Sequence, residues 1–175
     1  MRKCLCLFST LTIASMALAN DGPGLGVEAT DAQVAAWDIS IAPDGEGLPA
    51  GSGTAAQGEA IYAIRCSACH GKAGSGTPNN RLVGGHGTLN GPAPVKTIGS
   101  YWPYATTVFD YIRRAMPYPF SASLTDEEVY AVTAYLLFLN EIIKEDDVMD
   151  ARTLPQVQMP NRDNFVLAYP RNPDN

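Results

Sequence analysis

Apolar residues recur at three- and four-residue steps through residues 125–140: Val129, Val132, Leu136 and Leu139, with Tyr135 beside them. This spacing predicts a helix with one apolar face. Thr125 followed by Glu128 forms a capping box, acidic residues fill the first turn, and Asn140 can close the last. The spacing of Val108, Phe109 and Ile112 predicts a shorter helix over 105–115, capped by Thr106 or Thr107, with Arg113 and Arg114 in its last turn. A third helix is expected over 54–66. Thr54 can cap it, and Gly58, Ile61, Tyr62 and Arg65 follow at helical spacing. Glycine inside a helix costs up to about 1 kcal/mol against alanine, so a second backbone is expected to cross closely at Gly58.

The rest of the pattern is irregular. Residues 30–38 can form a short helix capped by Thr30 or Asp31, with Val34 and Trp37 on one face. Trp37, Ile39 and Ile41 are expected to tie this region to the body. Pro43 to Pro49 is punctuated as a tight turn. Residues 71–104 read as loops, rich in glycine around Gly71–Gly76 and Gly84–Gly87, stiffened by Pro92 and Pro94, and ending in the cluster Tyr101-Trp102-Pro103-Tyr104. Beyond residue 140 a charged stretch, Lys144–Asp147, leads into a segment where Pro155, Pro160, Pro170 and Pro173 rule out a long helix.

The first nineteen residues change how the composition is read. Arg2 and Lys3 precede a largely apolar run, Leu5 to Leu18, which is short for a bilayer span. Ala17-Leu18-Ala19 then offers a small-x-small cleavage site. The expectation is a secretory leader cleaved after Ala19, export to the periplasm and no membrane anchor; an uncleaved anchor is the alternative. Of the four cysteines in the 175 residues, Cys4 and Cys6 leave with the leader. Losing Arg2 and Lys3 leaves ten basic against eighteen acidic residues, a net charge of −8. Such a surface argues against nucleic acid and anionic lipid, and suits a partner with a basic docking patch or no steering role at all.

The two remaining cysteines stand in Cys66-Ser67-Ala68-Cys69-His70. Two thiols a helical turn apart, followed by histidine, read as a site for covalent attachment of one c-type haem, with the His70 imidazole as axial iron ligand. A structural zinc site needs about four converging ligands, and His86 is the only other cysteine or histidine after the leader. A thioredoxin-like pair belongs at the start of a helix, where the dipole lowers the thiol pKa; this pair follows one. A plain disulfide leaves His70 unexplained.

The sixth iron position has four candidates: Met116, Met149, Met159 and His86. A thioether favours ferrous iron. Met116 precedes the last helix, and Pro117 limits the motion of its loop. If the helices over 54–66 and 125–140 cross at Gly58, the segment carrying Met116 returns along the opposite haem face. Arg81 and Trp102 are candidate propionate contacts, with ordinary packing as the alternative. No catalytic residue is assigned.

The order helix, Cys-x-x-Cys-His, loops, short helix, Met-Pro, terminal helix resembles the class I c-type cytochromes across about residues 52–140. The resemblance implies an all-α fold, a class I cytochrome c-like single-haem domain at 52–140 with arms at 20–51 and 141–175, and one-electron transfer with His70 and Met116 axial. A narrower resemblance rests on Ala36-Trp37-Asp38-Ile39, on Pro43 to Pro49, on Gly99 to Thr107 and on Met159-Pro160-Asn161-Arg162-Asp163. These runs are similar to cytochrome subunits of bacterial sulfur oxidation, which accompany molybdenum-cofactor sulfane or sulfite dehydrogenases. This chain has one haem motif where larger members have two. The implied partners are such a molybdenum-dependent subunit and a periplasmic electron acceptor. The implied role is an electron relay that is not itself an enzyme. A freely diffusing carrier and a haem enzyme with a labile sixth ligand are the alternatives.

Overall fold

The computed structural model describes residues 25–166; the expected leader and its cleavage site lie outside the described residues. Two units are distinguished. The first, ending at Asp38, contains helix α1, Asp31–Trp37. Thr30 and Gln33 cap it reciprocally, but none of its residues is buried. Trp37 is exposed.

The second unit runs from Ile39 onward. Its centre is a helix, Asp126–Leu139, started by the Thr125/Glu128 capping box. Every residue from Val129 to Leu137 is buried. The single apolar face expected of this helix is therefore a fully buried cylinder, consistent with a stretch whose only polar side chains between 129 and 137 are a threonine and two tyrosines.

Around it, in chain order, come strand β1 (Ser52–Thr54), helix α2 (Ala55–Arg65), the one-turn helix α3 (Ser67–His70), the short helix α4 (Ile98–Tyr101), helix α5 (Ala105–Ala115), the central helix, now α6, and strand β2 (Val148–Asp150). Helices carry the fold, as expected of an all-α class. α4, capped by Thr97 and Ser100, interrupts the region expected to be loop.

The expected close approach at Gly58 is present. A Cβ built there would stand 2.5 Å from the Ala131 carbonyl carbon and 2.7 Å from Tyr135 Cβ. Gly53 grips the same turn of α6, its built Cβ lying 2.5 Å from Ala131 Cα. Phe109 of α5 stacks on Tyr130 of α6 with ring centroids 4.4 Å apart.

Segments on either side of 52–140 are built into this unit. β1 pairs antiparallel with β2, Gly53 opposite Met149. Met149, Leu154 and Met159 are buried, as is Ile41. Thr106 Oγ1 donates to the Pro43 carbonyl at 3.1 Å, and the Tyr130 hydroxyl to Pro49 at 2.9 Å. Residues 141–166 run against the body, and their apolar residues complete the shell around α6. No helix among the described residues is long and apolar enough to cross a membrane.

Candidate haem site

α2 ends at Cys66, whose N–H still donates to the Tyr62 carbonyl at 2.9 Å. The chain then turns once more. The N–H groups of Cys69 and His70 both donate to the Cys66 carbonyl, at 3.1 and 3.0 Å. One turn therefore presents Cys66, Cys69 and His70 together. Gly71 ends it at φ +75°, a conformation that favours glycine. The Tyr62 hydroxyl donates to the Gly71 carbonyl at 3.0 Å and fixes the exit. Burial pushes the Tyr62 phenol up to about 12.

The following loop folds back on the motif. Gly76 N–H donates to the His70 carbonyl at 2.7 Å, Asn79 N–H to Cys69 at 2.8 Å, and Leu82 N–H to Gly74 at 2.9 Å. His70 Nδ1 lies 3.0 Å from the Asn80 carbonyl oxygen. A carbonyl only accepts, so Nδ1 carries the proton and Nε2 is left with its lone pair for a metal. The loop is held in turn by Asn140 at the end of α6. Its Nδ2 donates to the Leu82 carbonyl at 3.2 Å, and its Oδ1 accepts from Gly84 N–H at 3.1 Å.

The thiols are free of each other. Cys66 is half-buried, and burial pushes its thiol up to about 11, with Cys69 adding to the effect and Arg65 opposing it. A redox-active pair needs the opposite shift. Among the described residues no three His, Cys, Asp or Glu side chains gather to hold a metal ion. A haem suits this donor set: two unpaired thiols and an oriented imidazole on one turn.

The candidate sixth ligands separate by burial. Met149 and Met159 are 4% and 3% exposed and belong to the core. Met116 is half-buried at the C-terminus of α5, its N–H donating to Ile112 at 3.1 Å, with Pro117 next. α5 is held at that end by Arg113, whose Nε lies 2.9 Å from an Asp126 carboxylate oxygen. His86 lies on a glycine-flanked loop beside a cavity of about 600 Å³ that reaches Asn161 and Phe165.

The propionate candidates have different surroundings. Arg81 is exposed beside a cavity of about 510 Å³ shared with Asn80 and Lys96. Trp102 packs edge-on against Tyr111 at 5.7 Å between ring centroids. Neither makes a side-chain hydrogen bond or ion pair among the described residues. The sequence reading missed Asn80 and the loop-holding role of Asn140. Asn80 acts through its backbone, so no side-chain signal for it exists. A polar residue closing an apolar helix was the only sign of Asn140.

Comparison with known proteins follows this geometry. The family model described as cytochrome c oxidase, cbb3-type, subunit III matches residues 53–136. A thiosulfate dehydrogenase from Allochromatium vinosum is 38% identical over 82 residues. That alignment takes in 46% of this chain but only 29% of the enzyme, so the chain spans under a third of that relative's length. The crystal structure of the sulfane dehydrogenase SoxCD from Paracoccus pantotrophus contains a chain that is 44% identical, with a TM-score of 0.77. The match covers 87% of this chain and 74% of that one.

Proposed function

We propose, from the premise that this chain belongs to the class I c-type cytochromes and works in haem electron transfer, that it is the periplasmic one-haem relay subunit of a molybdenum-dependent sulfite or sulfane dehydrogenase. The observation that carries the reading is the reach of the likeness. It extends over 87% of the chain, well past the 53–136 cytochrome segment. Segments that only pack over a haem would be free to diverge, whereas segments that also meet a partner subunit are constrained twice.

In this reading Cys66 and Cys69 would hold the haem through thioether bonds, and His70 Nε2 and Met116 Sδ would ligate its iron. Bound haem supplies a one-electron ferric/ferrous couple. The chain's own residues supply the rest. The Asn80 carbonyl fixes the His70 tautomer and makes its Nε2 a better donor. A thioether at the sixth position favours the ferrous state. With His70 and Met116 both on the iron there would be no place for a substrate, so the chain would relay electrons without being an enzyme by itself. The leader sends the chain to the periplasm and is cleaved after Ala19.

Purification of the native exported protein tests the proposal. The expected result is co-purification with a molybdenum-containing subunit and reduction of the haem when sulfite or thiosulfate is added to the complex. A monomer free of molybdenum and inert to both would refute the partner reading and favour a diffusing carrier. A high-spin ferric spectrum with rapid cyanide binding would favour an enzyme.

A further inference from the structure

Exposed apolar surface is concentrated in one part of the chain. Leu25, Val27, Val34 and Trp37 are all open to solvent, Val27 at 96% and Trp37 at 87%. The other large apolar side chains exposed among the described residues stand singly or as near neighbours in sequence, as on any protein surface. α1 lies within this stretch. At seven residues it is about half the length at which an isolated helix holds in water. Its capping box does not make up that difference, and none of its residues is buried. Val34 and Trp37 need a surface to pack on for the helix to last.

The charges around them describe that surface. Asp31, Val34 and Asp38 follow at three- and four-residue steps, so the two carboxylates bracket Val34 and Trp37 on one helix face. Two turns of helix set them about 10 Å apart. Neither carboxylate takes part in an ion pair among the described residues. Residues 20–59 hold seven acidic residues and no basic one, a balance that is repelled by an anionic lipid surface. The stretch is also shared with the solved relative. Residues 39–175 are less than four fifths of the chain, so a likeness covering 87% of it continues into residues 1–38.

We infer that residues 25–38 are an anchor by which the catalytic subunit holds this chain, with Trp37 seated in an apolar pocket of that subunit and Asp31 and Asp38 paired with two of its cations about 10 Å apart. A short helix laid into a groove by one aromatic and one aliphatic side chain is a recurring mode of protein recognition. Tryptophan is the residue type that most often carries the energy of such a contact, and flanking charges set its register and its partner. The anchor orders on binding, which supplies the packing that seven residues lack alone. The inference rests on the dehydrogenase-subunit reading above and names the segment that makes the contact and the chemistry of the surface that receives it.

Purification of the affinity-tagged full chain from its native host tests the anchor, read as molybdenum retained per haem. Trp37→Ala with Val34→Ala should lower that ratio at least about tenfold while the haem spectrum stays the same. Asp31→Lys with Asp38→Lys should lower it about tenfold. Val148→Ala, which trims an exposed apolar side chain in β2, should leave it within about twofold. A ratio that survives the Trp37 and Val34 changes, or falls equally with Val148→Ala, overturns the anchor while leaving the molybdenum partner in place. A lower urea midpoint on removing Trp37 from the chain separated from its partner also overturns it, because the helix then packs on the chain itself. Wild type that carries no molybdenum overturns the partner reading on which the anchor rests.

Discussion

Replacing Gly58 by alanine sets two effects of opposite sign against each other. As an isolated helix position, the change should stabilise α2 by about 1 kcal/mol. In this fold the new methyl meets the backbone of α6. It would lie 2.5 Å from the Ala131 carbonyl carbon, where ordinary contact begins at 3.4 Å, so the shortfall is about 0.9 Å. A backbone cannot rotate aside, and α6 is buried from Val129 to Leu137, so it cannot shift freely. Overpacking of this kind costs about 1–3 kcal/mol for side-chain obstacles and more for a rigid one. We expect a net loss of about 2 kcal/mol, equivalent to about 4–8 °C in Tm at this chain length. Urea unfolding of the haem-loaded protein, followed by far-UV circular dichroism, reads it as a lower midpoint at unchanged slope. Glu59→Ala, on the exposed side of the same helix, should move stability by less than about 0.5 kcal/mol. If Gly58→Ala instead stabilises the protein by the propensity amount, the close crossing is not what the glycine is for.

Met116→Ala should abolish the long-wavelength iron–sulfur charge-transfer band, and survival of that band rules Met116 out as ligand. Met159→Ala should keep the band and cost about 2–5 kcal/mol of stability by opening a core cavity. Asn140→Leu removes the partners of the Leu82 carbonyl and Gly84 N–H; a loss of about 2–3 kcal/mol is expected, with faster amide exchange at Gly84. Burial holds the Tyr62 and Tyr130 phenols up at about 12 against an ordinary 10.0. Between those values the unfolded chain has already released protons that the folded one keeps, so stability is full below pH 10 and falls as pH rises toward 12. Tyr62→Phe should flatten that fall, measured as the urea midpoint from pH 8 to 12; an unchanged slope would mean that Tyr62 does not titrate in this range.

The features legible in the sequence are those whose signals are local. Thr54, and Thr125 with Glu128, cap their helices where those residues stand, and Gly58 announced a crossing by being costly where it sits. The β1–β2 pairing is different. Its strands are three residues each and nearly a hundred residues apart, so neither carries a readable alternation. The burial of α6 on all sides depends on β1, α2, α5 and β2 all reaching it, and periodicity within one segment does not report how many neighbours arrive. Within the site, the thiols and imidazole were plain in the motif, and Met116 stood out by its place before α6.

His70 takes its orientation from a main-chain carbonyl, and that has an evolutionary corollary. A carboxylate or amide in that position would vanish with one point mutation. The Asn80 oxygen persists under any substitution at 80, provided the loop keeps its path. Drift among residues 77–81 is therefore free to retune the charge and contour of the surface around the Cys66–His70 turn without disturbing the His70 imidazole. A deletion of one residue in the same loop would do what no substitution at 80 can, because it moves the carbonyl itself.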